Sequence, residues 1–102
     1  MTDIEASRRA LVTRILEGPG SADAGVRRAA FDASAVPEPV RALLEKVGTR
    51  AHEVGDEDVA RVRASGMSED EIFEIVVCAA VGRATRRHEA ALSALRACTR
   101  AE

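Results

Sequence analysis

The residues of this chain that could do chemistry meet in one apolar segment, EIVVCAAVG, where Glu74 precedes Cys78 by four residues. On a helix this spacing puts both side chains on one face, so a carboxylate could act as acid or base beside a thiol nucleophile. A carboxylate alone is a poor activator, because thiolates are favoured by nearby cations or helix N-termini, whereas burial raises the thiol pKa. We therefore interpret Cys78 as a buried structural cysteine and keep a reactive cysteine as the alternative.

Glu74 needs a second explanation, because a carboxylate inside an apolar run is costly unless it is paired. We expect it to lie at an exposed edge or subunit boundary, or to pair with the cation of Lys46, Arg50 or Arg83. The alternative is that Glu74 serves as a catalytic acid or base.

The histidines and the second cysteine extend the set of candidates. His52 is a candidate base, whereas His88 lies about 15 Å beyond Cys78 along a continuous helix. We interpret His88 as a satisfied helical histidine and not as a ligand. Cys98 would lie about 30 Å from Cys78, which excludes a disulfide between them in that geometry. The acidic run 56–58 fits a helix start and no calcium loop, so we predict neither a metal site nor a cofactor.

Composition predicts one domain over residues 1–102, with an N-terminal helix and loop over 1–20. Apolar residues make up 46% of the chain but aromatic residues only 2%, so the core must be built from small aliphatic side chains. Because such a core is thin, we expect it to gain from homo-oligomer formation.

Charge and composition also exclude classes of partner. A net charge of −2, with both signs interspersed, gives no case for nucleic acid or an anionic membrane, and the lack of aromatics removes stacking platforms for single strands. No apolar run approaches the roughly 20 residues of a membrane span. Two cysteines in no disulfide or zinc pattern fit a reducing environment, so we expect a cytoplasmic protein.

Hydrophobic spacing and capping signals predict an all-α bundle of about five helices. Thr2–Glu5 and Ser68–Glu71 are capping-box sequences that mark two helix starts. The first helix is predicted over about 3–17, and the second over VRRAAFDA, with Val26, Ala30 and Phe31 facing inward. The third is predicted over about 38–54. A short fourth helix is expected to be capped by Asp56 and to end at Gly66, and a long fifth helix follows. The β-branched content of 72–81 would also suit a strand, but nothing offers strand partners, which favours the helix.

The segment GMSEDEIFEIVVCAAVGRATRRHEAALSAL resembles the carboxymuconolactone decarboxylase and AhpD-like alkylhydroperoxidase superfamily over about residues 36–98. In that family a turn of the form A-G-x-[ST]-x-x-E-[IL] follows the catalytic helix and precedes a long helix rich in Ala and Val. Ser65 to Ser68 and Glu71 to Glu74 stand in those places here. The resemblance implies an AhpD-like helical bundle, commonly a trimer or hexamer.

The catalytic positions of the peroxidase members are not kept. The resemblance places Asp58 where their His stands, Val54 and Ala51 where their C-x-x-C cysteines stand, and Pro39 where their distant Glu stands. Since that reaction needs one thiolate to attack and a second thiol to resolve, this chain cannot perform it at that site.

Three functional hypotheses follow. The leading one is a non-peroxidase, oligomeric binding or structural module, with a small-molecule ligand near Lys46, Arg50, His52 and Glu74. The second is an enzyme of the same superfamily that uses Cys78 with Glu74 or His52 in a non-standard site. The third is a small regulatory protein whose basic edge, Arg83 to Arg87, contacts an acidic partner.

Overall fold

The first and the last helix begin at the two predicted capping boxes. The computed structural model describes residues 2–101, and over that range the chain is all-α, as the sequence predicts. The elements are α1 (Asp3–Glu17), α2 (Ala24–Asp32), α3 (Val40–Arg50), a 3₁₀ turn (Ala51–Glu53), α4 (Asp56–Ala64) and α5 (Glu69–Ala101). Thr2 Oγ1 accepts a hydrogen bond from the Glu5 amide at 3.1 Å. At α5 the reciprocal box is complete, because Ser68 Oγ accepts from the Glu71 amide and Glu71 Oε1 accepts from the Ser68 amide.

Two predicted helix boundaries are wrong. Asp56 does not cap α4 but is its first residue; the cap is Gly55, whose amide donates to Asp58 Oδ2 at 2.9 Å. The third helix does not continue from 38 to 54, because α3 stops at Arg50 and gives way to the 3₁₀ turn.

Helix α2 buries two of the three side chains predicted to face inward. Asp23 caps it, accepting a hydrogen bond from the Gly25 amide at 2.9 Å. Ala30 and Phe31 are buried as expected, but Val26 is 38% exposed while Arg27 is only 7% exposed. Arg27 is drawn inward because its guanidinium donates to carbonyl oxygens near the end of α1.

Helix α5 is the central helix, and each of the other α-helices contacts it. Its 33 residues span about 50 Å at 1.5 Å each, close to the 54 Å length of the whole chain. Its first half packs against the other helices, chiefly α2, whereas side chains from Arg86 to Arg100 are exposed except for partly buried Leu92. Gly82 is buried where α2 crosses, and a Cβ there would overlap the Phe31 carbonyl and lie 2.9 Å from its Cα.

The core is small and aliphatic. Buried hydrophobic residues come from every α-helix and the α1–α2 loop: Leu16, Ala22, Ala30, Phe31, Val40, Leu43, Val62, Ile72, Ile75 and Cys78. Several large apolar side chains lie outside it, including Ile4 and Leu11 of α1, Phe73 at 70% exposed and Leu95 at 64% exposed. None of the helices in residues 2–101 combines the length and apolarity needed to cross a membrane.

Candidate functional site

Glu74 holds the loop between α1 and α2. Its Oε1 and Oε2 accept hydrogen bonds from the Ser21 amide at 2.8 and 2.9 Å, and Oε2 also accepts from the Ala22 amide at 2.9 Å. The expectation of a lysine or arginine partner is therefore wrong: the carboxylate is satisfied by backbone N–H groups contributed by residues more than 50 positions earlier in the chain. A charged acceptor makes such bonds stronger than neutral ones.

Arg27 holds the same loop from inside. Its Nη1 donates to the Gly18 carbonyl at 2.8 Å and to the Ile15 carbonyl at 3.2 Å, which satisfies carbonyls that the end of α1 leaves open. Gly20 lies between the two anchors, and a Cβ on it would collide with Glu74 Oε1. The Glu74 carboxylate and the Arg27 guanidinium therefore fix the path of this loop.

Cys78 is packed against this anchored region. Its side chain is 1% exposed, and its Sγ lies 3.6 Å from the Ile15 carbonyl oxygen. Burial raises the pKa of the Cys78 thiol, and the Glu74 charge raises this pKa further, against the opposing charge of Arg27. A buried thiol held in its neutral form is a weak nucleophile. The geometry favours a structural Cys78, whereas Cys98 is exposed on the projecting part of α5.

Lys46 joins α3 to α4. Its Nζ lies 3.1 Å from Asp58 Oδ2, in a pair that is mostly shielded from solvent, and Arg61 Nη1 lies 3.4 Å from Asp58 Oδ1. The hydrogen bond from the Gly55 amide lowers the pKa of Asp58, and Lys46 lowers it further through its own hydrogen bond. Lys46 is thus committed to an interhelix ion pair.

Arg50 and His52 lie on the exposed end of α3 and on the 3₁₀ turn. Arg50 Nε lies 3.5 Å from Glu53 Oε2, and both side chains are exposed. Within residues 2–101, no hydrogen bond or ion pair joins any two of the predicted binding residues Lys46, Arg50, His52 and Glu74. The part of the chain that the structure describes also contains no cluster of three metal-ligating side chains.

A cleft of about 630 Å³ opens elsewhere, between the end of α2, α3 and the middle of α5. This size is within the range of small-molecule sites. Its walls are built from small and aliphatic residues: Ala30, Ala33, Val36, Leu44, Val47, Gly48, Ala79, Ala80 and Ala84. None of the residues predicted for catalysis or small-molecule binding lines this cleft: Lys46, Arg50, His52, Glu74 and Cys78 all lie outside it. Alanines carry no chemical signal in a sequence, and only the packing of three helices leaves the space between them.

The charged lining of the cleft is mainly arginine. Arg41, Arg83, Arg86 and Arg87 line it with a single carboxylate, Glu45. The Arg83 guanidinium extends over α3 at Gly48, where an added Cβ would lie only 3.0 Å from Nη1. The basic edge Arg83 to Arg87, which the sequence suggested as a contact for an acidic partner, thus forms part of a concave surface.

Comparisons of the chain with family models, with curated proteins and with solved structures returned no match.

Proposed function

We propose that this chain is a non-enzymatic helical binding module whose ligand is a small, largely apolar molecule held in the α2–α3–α5 cleft. The observation that carries the proposal is the cleft itself, with an apolar wall contributed by three helices and a few polar groups at its margin. Ligand sites commonly combine those features. The proposed binding site is therefore the cleft between α2, α3 and the middle of α5, not the predicted set around Lys46 and Glu74.

The environments of the two candidate catalytic residues, Cys78 and Glu74, support a binding role over catalysis. Cys78 is buried with a raised thiol pKa, and Glu74 is occupied by loop amides. The resemblance to the AhpD-like superfamily stays part of this proposal, as a member without the dithiol site. In support, Asp58, which stands at the place of the peroxidase histidine, is engaged by Lys46 and the Gly55 amide.

We further propose that the module is a homo-oligomer, with a trimer or hexamer suggested by the resemblance. The thin core, the exposed Phe73 and Leu95 and the unpacked second half of α5 support this, because apolar groups on such surfaces gain from association. Light scattering at micromolar concentration tests it, and a monomer would contradict it. Free thiols at Cys78 and Cys98 support a reducing, cytoplasmic location.

Binding of a neutral, polarity-sensitive dye such as Nile red tests the cleft. We expect saturable binding by the wild-type protein and loss of binding in Ala80→Phe, because the larger side chain would fill the cleft. Ala90→Phe is the matched control, since Ala90 lies on the exposed part of the same helix and outside the cleft lining. Absence of saturable binding, or equal loss in both variants with helicity retained, would refute the proposal.

A second candidate function is regulatory binding to an acidic protein through the far half of α5. Residues 83–101 contain five arginines and one glutamate, and most of these side chains are exposed. This charge pattern favours an acidic partner. Purification at low salt should then retain an acidic partner that salt releases, and no salt-dependent partner would count against this candidate.

A further inference from the structure

The cleft carries more positive charge than its surroundings neutralise. Four arginines and one glutamate line it, although the whole chain has a net negative charge. Two of the four are committed elsewhere: Arg41 Nε lies 3.0 Å from Glu38 Oε1, and Arg86 donates to the Phe31 carbonyl. Arg83 and Arg87 remain, and within residues 2–101 neither forms an ion pair with a carboxylate.

Arg83 is the more informative of the two. Its Nε is fully buried and has no hydrogen-bond partner among the described residues, although buried polar atoms are nearly always bonded. The absent side chain of Gly48 leaves room for its guanidinium against α3. Arg87 follows on the same helix by four residues, so both guanidinium groups lie on one side of α5 at the cleft.

We infer that the cleft binds an amphiphilic carboxylate, with the carboxylate on Arg83 and Arg87 and the apolar body along the alanine and valine wall. This inference rests on the proposed function, because it names the chemical class of the ligand in the same cleft. A carboxylate matches the planar fork of a guanidinium and can accept two parallel hydrogen bonds from it. Apolar surroundings strengthen that attraction relative to water.

The chemistry separates this ligand class from neutral apolar molecules. A neutral alcohol of the same chain length would fill the same wall but leave the two guanidinium groups without an anion. A carboxylate would bring its own charge into a cleft that Glu45 alone does not neutralise. The two molecules should therefore differ in affinity by the contribution of the charged head, and that difference should shrink at high salt.

Displacement of Nile red by decanoate and by decan-1-ol measures this difference. With wild-type protein we expect decanoate to bind at least about tenfold more tightly than decanol, the size expected of one charge-assisted bond. In Arg83→Gln the ratio should fall towards one while decanol binding is unchanged, and Arg83→Lys should restore part of it. Arg96→Gln is the control, because Arg96 lies on α5 outside the cleft.

The outcomes distinguish this inference from the proposed function. Saturable dye binding with equal displacement by decanoate and decanol would overturn the inference and leave the proposed function standing. No dye binding at all would overturn both. If Arg83→Gln does not fold, Arg87→Gln and the salt dependence of the wild-type protein provide the test. The inference would be overturned if the ratio of decanoate to decanol affinity were unchanged in Arg87→Gln and independent of salt in the wild type.

Discussion

Both oxygens of the Glu74 carboxylate accept the backbone amide of Ser21, at 2.8 and 2.9 Å. The contact connects the second turn of α5 to a loop that precedes it by more than 50 residues, so it fixes the position of α1 and α2 on α5. Glu74, a candidate acid or base in the sequence, is thus part of the structural framework. The proposed binding cleft is a separate region, and neither Glu74 nor Cys78 lines it.

Replacing Glu74 tests this structural role. Glu74→Ala removes the acceptor for the Ser21 and Ala22 amides, and we expect it to lower the free energy of unfolding by about 2 kcal/mol. Glu74→Gln keeps one oxygen acceptor and should cost about half as much. Urea denaturation measures both, with Glu89→Ala as a control on the exposed part of α5. Stability equal to the wild type in Glu74→Ala would contradict the role.

The accessibility of Cys78 is measured by alkylation. In the Cys98→Ser variant, which removes the exposed thiol, we expect iodoacetamide at neutral pH to modify Cys78 only after denaturation, because its side chain is buried and its thiol pKa is raised. In the Cys78→Ser variant, Cys98 should react readily without denaturant. Fast modification of native Cys78 would instead revive the enzyme hypothesis.

The sequence predicted the all-α fold and the starts of α1 and α5, because capping signals and hydrophobic spacing are local; it missed the end of α3 and the cap of α4. The Ser68–Glu71 box and the apolar run behind it predicted the start of α5, and both hydrogen bonds of the box are present. The partner of Glu74 could not be predicted in the same way, since backbone amides are invisible in a sequence and every residue except proline carries one. Side-chain charge predicted a lysine or arginine partner for Glu74, whereas in the folded protein its partners are backbone amides of the α1–α2 loop.

The cleft could not be predicted from the sequence either, because the residues of its wall have no distinctive pattern. Its wall consists of alanines and aliphatic residues that have the pattern of ordinary core positions, and Arg83 was predicted to belong to an edge that contacts an acidic protein. Only the crossing of α2, α3 and α5 leaves the space open. A signal that was present is the arginine cluster at 83–87 following a run of small residues on one helix.

Gly82 controls how closely α2 approaches α5. A Cβ at this position would overlap the Phe31 carbonyl, which is backbone and cannot rotate away, so Gly82→Ala must push the two helices apart. We expect a loss of about 1–3 kcal/mol in the free energy of unfolding, despite the better helix propensity of alanine. Ala90→Gly on the exposed part of the same helix is the control, because it measures the helix-propensity difference between alanine and glycine without a packing clash. Equal stability of the Gly82 variant and wild type by chemical denaturation would refute the close approach.

The Lys46–Asp58 pair makes stability depend on pH in the acid range. The Gly55 amide and Lys46 lower the pKa of Asp58 in the folded protein. The ionised Asp58 therefore contributes its full stabilisation above the pKa of an unfolded aspartate, about 3.9, and this contribution is lost as pH falls through the lower pKa of the folded state. Asp58→Asn should therefore be less stable than the wild type at about pH 7, and the difference should narrow towards about pH 3. Asp56→Asn, at an exposed position in the same helical turn, is the control. Urea midpoints across this pH range measure the effect, and a constant difference between wild type and Asp58→Asn would show that the carboxylate charge does not stabilise the fold.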